Sequence, residues 1–223
     1  MAGLMHGKYQ GNAVPSKLGS IGCSHKHTSA LFTPEALPPR QPLRRATIIL
    51  VVLFSLVSFA LATVIAWGVF EAMLHPEDEH ANLFQARIFA RGLVIAPLPP
   101  EPEALRVEFV INANGHRFSK YPPGYSLLLA LGVLLHQPWI INALAAVLGL
   151  LGTFMVTRDL FGEQAGIWAM FLGLFSPTYI LLSGSLLSHS TSLVALVWFV
   201  WALLSMRRGQ AGHPRIRLLS PVV

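Results

Sequence analysis

Three long stretches of this 223-residue chain, at 46–70, 121–157 and 164–206, contain no Asp, Glu, Lys or Arg. Each exceeds the roughly 20 apolar residues that a helix needs to cross a bilayer. The alternative is a set of core helices in a large soluble protein. That alternative needs polar surface to cover the helices, and only 12% of the residues are charged, against about 25% in soluble domains. The sequence therefore predicts an all-α membrane protein.

Breaks in hydropathy divide these stretches into separate helices. Spans are predicted at about 47–74, 139–157, 165–182 and 190–206. The apolar segment 124–135 is too short to cross comfortably and is predicted to be re-entrant or tilted. Four spans plus this dipping helix place Arg158, Arg207 and Arg208 on the cytoplasmic side, as the positive-inside rule favours. Five spans, with 124–135 crossing, remain the alternative.

Both ends of the chain are polar and basic. The composition of residues 1–45 predicts a disordered cytoplasmic tail, and that of residues 207–223 predicts a second basic tail. His25 and His27 suggest metal binding, although a solvated tail is the favoured interpretation. The single cysteine, Cys23, excludes a disulfide framework and fits no zinc pattern. We therefore expect no metal and no cofactor.

The net charge of +6 does not indicate nucleic-acid binding. Basic residues cluster beside the predicted spans and do not form a stripe with interleaved aromatic residues. The positive-inside rule explains this distribution better, so we expect no nucleic acid among the partners.

The segment 75–123 follows the first span and is predicted to form a structured extracytoplasmic loop. A helical pattern begins at Asp78 and stops at Gly92. Its two sides differ in character, with Ala81, Phe84 and Ile88 on one and Arg87 and Arg91 on the other. Such an amphipathic helix can lie in the membrane interface. An extended stretch (96–102), a weak strand (107–111) and a turn (112–115) are predicted after it.

The order of these features resembles the membrane-embedded GT-C glycosyltransferases, within them the protein mannosyltransferase and aminoarabinose transferase branch. Those enzymes have an acid-bearing loop after the first helix, interfacial helices within it, and a Pro-Pro motif at the next helix. The matching residues are Asp78, Glu79, Ala86, Gly92, Tyr121, Pro122, Pro123 and Gly124. Further similarities are the segment 158–162 and the pair Ser176–Pro177. The resemblance covers residues 45–206. Because members of that class are longer, we expect an N-terminal fragment or one part of a split protein.

The resemblance implies transfer of a sugar from a polyprenyl-phosphate donor to a glycan, lipid or protein acceptor. The reaction would take place on the extracytoplasmic face of a bacterial inner membrane. Asp78 is then the general base, because the acid of the class lies at this position, and Glu79 positions the acceptor. Partial desolvation at the membrane surface would adapt a carboxylate to this task. Without the resemblance, acids favoured at the positive end of a helix dipole explain both residues.

Five further residues are candidates for binding donor phosphate or substrate: Arg87, Arg91, Lys120, Tyr121 and His189. The three cations suit a leaving phosphate, but snorkelling to lipid headgroups is the slightly favoured explanation for each one taken individually. Tyr121 is a possible sugar-stacking ring or interfacial anchor. His189 stands where some members of the class carry a second acid; it is predicted either to bind phosphate or acceptor or to begin a helix.

Two other functions compete with glycosyl transfer. A non-catalytic membrane subunit would share the same fold and need no base. A transporter usually carries ionisable groups inside the membrane, and the three uncharged stretches contain only His136 and His189, both near breaks. The sequence therefore disfavours a transporter.

Overall fold

The computed structural model describes residues 40–102 and 104–211. The predicted tails lie largely outside these residues, as do Cys23, His25 and His27. The described part is mostly helical, with one small sheet. Its elements are α1 (Arg45–Val64), α2 (Glu77–Ala90), β1 (Ala96–Pro97), β2 (Val110–Ala113), β3 (His116–Ser119), α3 (Pro123–Leu134), α4 (Ile140–Phe161), α5 (Glu163–Leu174), α6 (Pro177–Gly184) and α7 (His189–Ala211).

The first long helix ends earlier than predicted. A π-helical turn, Ile65–Val69, continues α1, and the two together form one largely apolar helix of 25 residues. The N–H of Phe70 then bonds back to the carbonyl of Ile65, and Glu71 and Ala72 adopt positive φ of 52° and 53°. The predicted end of this helix near residue 74 is therefore wrong. The chain has already left the helix when it reaches the proline.

Among the described residues, three helices are long and apolar enough to cross a membrane: α1 with its π-turn, α4, and α7 up to Arg208. The pair α5 and α6 passes the same test jointly, but is bent by 64°. The predicted span 165–182 is therefore observed as two helices with a sharp bend between them. Pro177 begins α6 and Ser176 caps it, accepting a bond from the N–H of Tyr179 at 3.4 Å. A proline is accommodated at a helix start and breaks a helix interior.

An ion-pair cluster brings three distant helix ends together. Asp159, near the end of α4, pairs with Arg40 just before α1 at 2.7 Å and with Arg208 near the end of α7. We call this region the Asp159 end of the bundle. Because α1 begins there and α4 finishes there, everything between them lies at the opposite end. The short helix α3 lies there, and the described residues provide at most four candidate spans by length and composition, namely the three long helices and the bent pair.

The opposite end, which we call the Glu79 end, consists of an α2–α3 hairpin and the sheet. Its core is apolar and is made of Leu83, Ala86, Tyr125, Leu129, Ala130 and Leu186. The helix predicted from Asp78 to Gly92 is observed as α2, and Gly92 follows it with a φ of +75°. Two of its three predicted apolar positions, Ala81 and Ile88, are buried.

The loop forms a three-stranded sheet, of which the sequence predicted one weak strand and one turn. Its strand order is β1-β3-β2, and both pairs are antiparallel. A two-residue turn, Asn114–Gly115, joins β2 to β3, and both turn residues have positive φ, as a type I′ turn requires. The strand predicted at 107–111 lies three residues too early, since β2 is Val110–Ala113.

Glycines allow the long helices to approach closely. A Cβ at Gly152 of α4 would lie 2.4 Å from the side chain of Val197 on α7, and one at Gly166 of α5 would lie 2.8 Å from Phe154. Small residues at helix contacts are typical of packing between membrane helices. These glycines therefore allow α4 to pack closely against α7 and α5.

Candidate functional site

The start of α2 carries three consecutive acids. Pro76 has extended backbone angles and precedes the helix, so the chain enters α2 with Glu77, Asp78 and Glu79 in its first turn. Negative charge is favoured at this end of a helix. The three carboxylates point into different surroundings: Glu77 is exposed, Asp78 is half-buried and Glu79 is buried.

Glu79 has both carboxylate oxygens bonded to backbone amides. Its Oε2 accepts from the N–H of His75 at 3.0 Å, and its Oε1 accepts from the N–H of Leu186 at 2.9 Å. Only 3% of the residue is exposed. A buried carboxylate needs such donors to offset its lost hydration. Glu79 therefore ties the loop after α1 to the segment between α6 and α7, and its predicted role with the acceptor stays a prediction.

Asp78 is hydrogen-bonded to Tyr121, which lies 43 residues later. The Tyr121 hydroxyl donates to Oδ1 of Asp78. Partial burial raises the pKa of Tyr121 to about 12, and the hydrogen bond to Asp78 and its negative charge act in the same direction. Tyr121 is thus protonated at neutral pH and serves as a donor. Residues 40–102 and 104–211 supply no second hydrogen bond to the Asp78 carboxylate, so within these residues its other oxygen has no hydrogen-bond donor.

Lys120 and Phe109 complete this corner. The Lys120 ammonium lies 3.3 Å from the centroid of the Phe109 ring and 5.0 Å from that of Tyr121. The Phe109 and Tyr121 rings meet edge to face, with centroids 5.9 Å apart. Phe109 has a φ of +63°, unusual for a bulky side chain. We call Asp78, Tyr121, Lys120 and Phe109 the Asp78 corner.

The structure does not bring every candidate to this corner. Arg87 and Arg91 are exposed. They lie nine and thirteen residues beyond Asp78, which corresponds to about 13 Å and 20 Å along the helix axis. His189 is exposed and begins α7, three residues after the Leu186 amide that Glu79 binds. The two arginines are therefore separate from Asp78, whereas His189 belongs to the segment tied to its neighbour.

Sequence reasoning missed several polar residues that hold the site. Asn142, fully buried in the first turn of α4, accepts from the Tyr125 hydroxyl at 3.1 Å and donates to the Leu187 carbonyl at 2.8 Å. Gln85 of α2 donates to the Val94 carbonyl at 2.8 Å and accepts from the Ser119 N–H at 2.9 Å. A signal for Asn142 was available, since a lone amide inside an apolar span rarely goes without a partner.

The described residues contain no group of three or more His, Cys, Asp or Glu side chains placed to hold a metal ion. The Asp78 corner offers one carboxylate, one phenol and one ammonium. Such a set can accept a proton, donate a hydrogen bond and counter a negative charge.

Comparisons with protein-family models, with curated proteins and with solved structures found no match to this chain. The resemblance to the GT-C class accordingly remains a prediction from the residues quoted above.

Proposed function

We propose that this chain is a multi-pass protein of a bacterial inner membrane. We further propose that the Asp78 corner acts in sugar transfer from a polyprenyl-phosphate donor on the extracytoplasmic face. Support for the orientation comes from charge. The described arginines at the Asp159 end, which are Arg40, Arg44, Arg45, Arg158, Arg207 and Arg208, lie within about five residues of the ends of α1, α4 or α7, whereas the cations of the Glu79 end lie about 18 or more residues from the ends of these helices. The positive-inside rule places the first group in the cytoplasm.

The observation that carries the proposal is the hydrogen bond from Tyr121 to Asp78 beside the Lys120 ammonium. Tyr121 holds one carboxylate oxygen, leaving the other to accept the proton of an acceptor hydroxyl. As that hydroxyl oxygen bonds to the anomeric carbon, the bond from this carbon to the donor phosphate breaks. The phosphate leaves with the electron pair, and the proton passes to Asp78.

The charges at the Asp78 corner suit a reaction in which a carboxylate accepts a proton and a phosphate leaves. The leaving phosphate gains negative charge, which a nearby ammonium stabilises. Lys120 lies next to Tyr121 in sequence and over its ring, so we assign the donor phosphate to Lys120. Arg87 and Arg91 lie too far along α2 to reach the same phosphate, and we assign them to lipid headgroups. Glu79 acts as a positioning residue through its tie to Leu186.

The hydrogen bonds of Glu79 and Asp78 also favour a second function, that of a non-catalytic membrane subunit. Glu79 is fully engaged by backbone amides, and Asp78 already has one protein partner. A non-catalytic membrane subunit would need these residues only to fold. The two functions differ in one respect: catalysis requires the free oxygen of Asp78, whereas folding requires only the oxygen that Tyr121 binds.

The experiment compares the wild-type chain with Asp78→Asn and Glu77→Gln in proteoliposomes. Vesicles would receive a panel of radiolabelled polyprenyl-phosphate sugars together with lipid and glycan acceptors. Loss of the general base should lower transfer by about 10² to 10⁴-fold, while the exposed Glu77 serves as the matched control. Equal transfer by wild type and Asp78→Asn, or no transfer by wild type from any donor, would overturn the proposal in favour of the subunit.

A further inference from the structure

Phe109 is the one member of the Asp78 corner to which the proposed reaction gives no role. It lies directly before β2, and its side chain is half-buried. The ring contacts two other members of the corner. The Lys120 ammonium lies 3.3 Å from its centroid, and the Tyr121 ring meets it edge to face. The residue at position 109 therefore influences where the cation of the corner is held.

The backbone holds Phe109 in a conformation that bulky residues avoid. Its φ of +63° lies in the left-handed region. Hydrogen bonds hold the chain at this point: the Phe109 carbonyl accepts from the N–H of Lys120 at 2.9 Å, and the N–H of Val110 donates to the carbonyl of Val107 at 3.2 Å. Strained residues persist where the surrounding structure determines them, and they cluster at functional sites. The conformation therefore favours a functional role for the ring that it places.

The Lys120 ammonium rests on this ring. A lysine side chain is flexible and strongly hydrated, and Lys120 is exposed. Within residues 40–102 and 104–211 its ammonium forms no ion pair with a carboxylate. It does contact the rings of Phe109 and Tyr121, of which Phe109 is the nearer. Because a cation is attracted to the negative face of an aromatic ring, Phe109 restricts where the ammonium lies.

An aromatic partner suits a lysine that binds phosphate better than an acidic partner does. A carboxylate at position 109 would also hold the ammonium, but it would neutralise the charge that attracts a phosphate. A ring leaves that charge in place. A phosphate that binds a mobile lysine must also overcome the conformational entropy of the side chain, and a side chain that is already held loses less. The Phe109 ring therefore lowers the cost of fixing the Lys120 cation and preserves its charge.

We propose that Phe109 is a positioning residue, which holds the Lys120 ammonium beside Tyr121 so that it binds the phosphate of the donor. This inference rests on the proposed function, from which it takes the assignment of the donor phosphate to Lys120. Phe109 acts through Lys120 and does not itself touch the reacting atoms.

The test measures binding of a polyprenyl monophosphate without sugar to the full chain in detergent. The uncharged polyprenol of the same chain length is the reference ligand. Phe109→Leu removes the ring and should weaken binding of the phosphate about 2- to 10-fold, while binding of the polyprenol stays unchanged. Phe109→Trp keeps an aromatic face and should bind like wild type. Lys120→Ala should lose the preference for the phosphate over the polyprenol.

Two further variants separate the contact with Lys120 from a contribution to folding. Phe118→Leu removes a half-buried ring of β3 that makes no cation–π contact with Lys120 in the described part of the chain, so it should bind like wild type. Phe109→Gly removes the ring and also relieves the left-handed strain. It keeps the proposal testable if Phe109→Leu does not fold, and its affinity for the phosphate should fall as far. Melting temperatures in detergent would report the folding of each variant.

The possible results separate the role of Phe109 from the proposed reaction. The role of Phe109 alone is overturned if Lys120→Ala loses the preference for the phosphate but Phe109→Leu and Phe109→Gly keep it. It is also overturned if Phe109→Leu weakens binding of both ligands equally. If wild type shows no preference for the phosphate, or Lys120→Ala retains it, the assignment of the donor phosphate to Lys120 is overturned as well. Binding needs no transfer, so a chain that binds as expected but transfers no sugar would contradict only the reaction.

Discussion

The Tyr121 hydroxyl donates a hydrogen bond to the Asp78 carboxylate across 43 residues of sequence. This contact joins the first turn of α2 to the residue just before the Pro-Pro pair that opens α3. The end of the loop therefore contacts its beginning, and the Asp78 carboxylate has a hydrogen-bond partner within the protein.

The ionisation of Tyr121 provides a direct measure of this contact. The pKa of Tyr121 is raised to about 12 from an ordinary value of 10.0. We expect ultraviolet titration of wild type minus Tyr121→Phe to give a phenolate signal centred near 12. Replacing Asp78 by Asn should move that midpoint down, because it removes a negative charge beside the phenol. An unmoved midpoint in Asp78→Asn would contradict the contact.

The same shift predicts a loss of stability at high pH. A raised pKa in the folded state means that the folded chain holds the phenol proton more tightly than the unfolded chain does. This contribution is complete below pH 10 and is lost as the pH rises through about 12. Thermal melting of wild type should decline across that window more steeply than melting of Tyr121→Phe. If the melting temperatures of wild type and Tyr121→Phe change in parallel with pH across this window, the raised pKa of Tyr121 is contradicted.

Replacing Glu79 by Ala should destabilise the protein strongly. The substitution leaves the buried N–H of Leu186 without its acceptor, and it also removes the acceptor of the N–H of His75, an exposed residue. An unsatisfied buried group costs about 1–3 kcal/mol, and we expect a loss of that size because water can replace Glu79 at His75. Thermal melting in detergent would measure the loss. Glu77 is exposed and lies two residues earlier in the same helical turn, so Glu77→Ala should melt close to wild type. An equal loss of stability in both variants would mean that the hydrogen bonds of Glu79 do not stabilise the protein.

The Asp159 cluster should contribute far more than a surface ion pair. The Asp159 side chain is 2% exposed, and its partner Arg208 is 13% exposed. Removing one member of a buried pair costs about 3–5 kcal/mol, and the partial exposure of Arg40 at 36% lowers the expected value toward the smaller figure. Asp159→Asn should therefore reduce the melting temperature markedly. The control is Glu108→Gln, whose exposed partner Arg106 lies 4.0 Å away; such pairs contribute about 0–1 kcal/mol.

Single cysteines would establish which side of the membrane each end occupies. In a Cys23→Ser background, Glu101→Cys in the loop and Arg207→Cys in α7 both place a thiol at an exposed position. A membrane-impermeant maleimide should label position 101 in intact spheroplasts and position 207 only after permeabilisation. The reverse pattern would place the Asp78 corner in the cytoplasm and remove the basis for sugar transfer.

Local patterns in the sequence predicted the parts of the fold that local physics determines. The helix from Asp78 to Gly92 followed from its periodicity and its glycine stop, and the Asn114–Gly115 turn from its two residue types. The break inside the third apolar stretch was visible as Ser176–Pro177, yet hydropathy averaged over that stretch concealed it.

Contacts between distant residues were not predictable in the same way. Nothing near Glu79 in sequence distinguishes a buried tie from a catalytic acid, because its decisive partner is the Leu186 amide. Backbone amides carry no sequence signature. The early end of α1 was hidden for a related reason: the π-turn and the left-handed Glu71 and Ala72 occur at residues with no intrinsic preference for those conformations.

The hydrogen bond between Glu79 and the Leu186 amide can form only after both residues have been synthesised. The two residues are separated by 107 positions, and ribosomes add about 5–20 residues each second. The Leu186 amide is therefore synthesised about 5–20 s after Glu79. During that interval the Glu79 carboxylate can have only one of its two backbone donors. The last contact of the loop that carries the proposed base therefore forms only after the segment between α6 and α7 has been made.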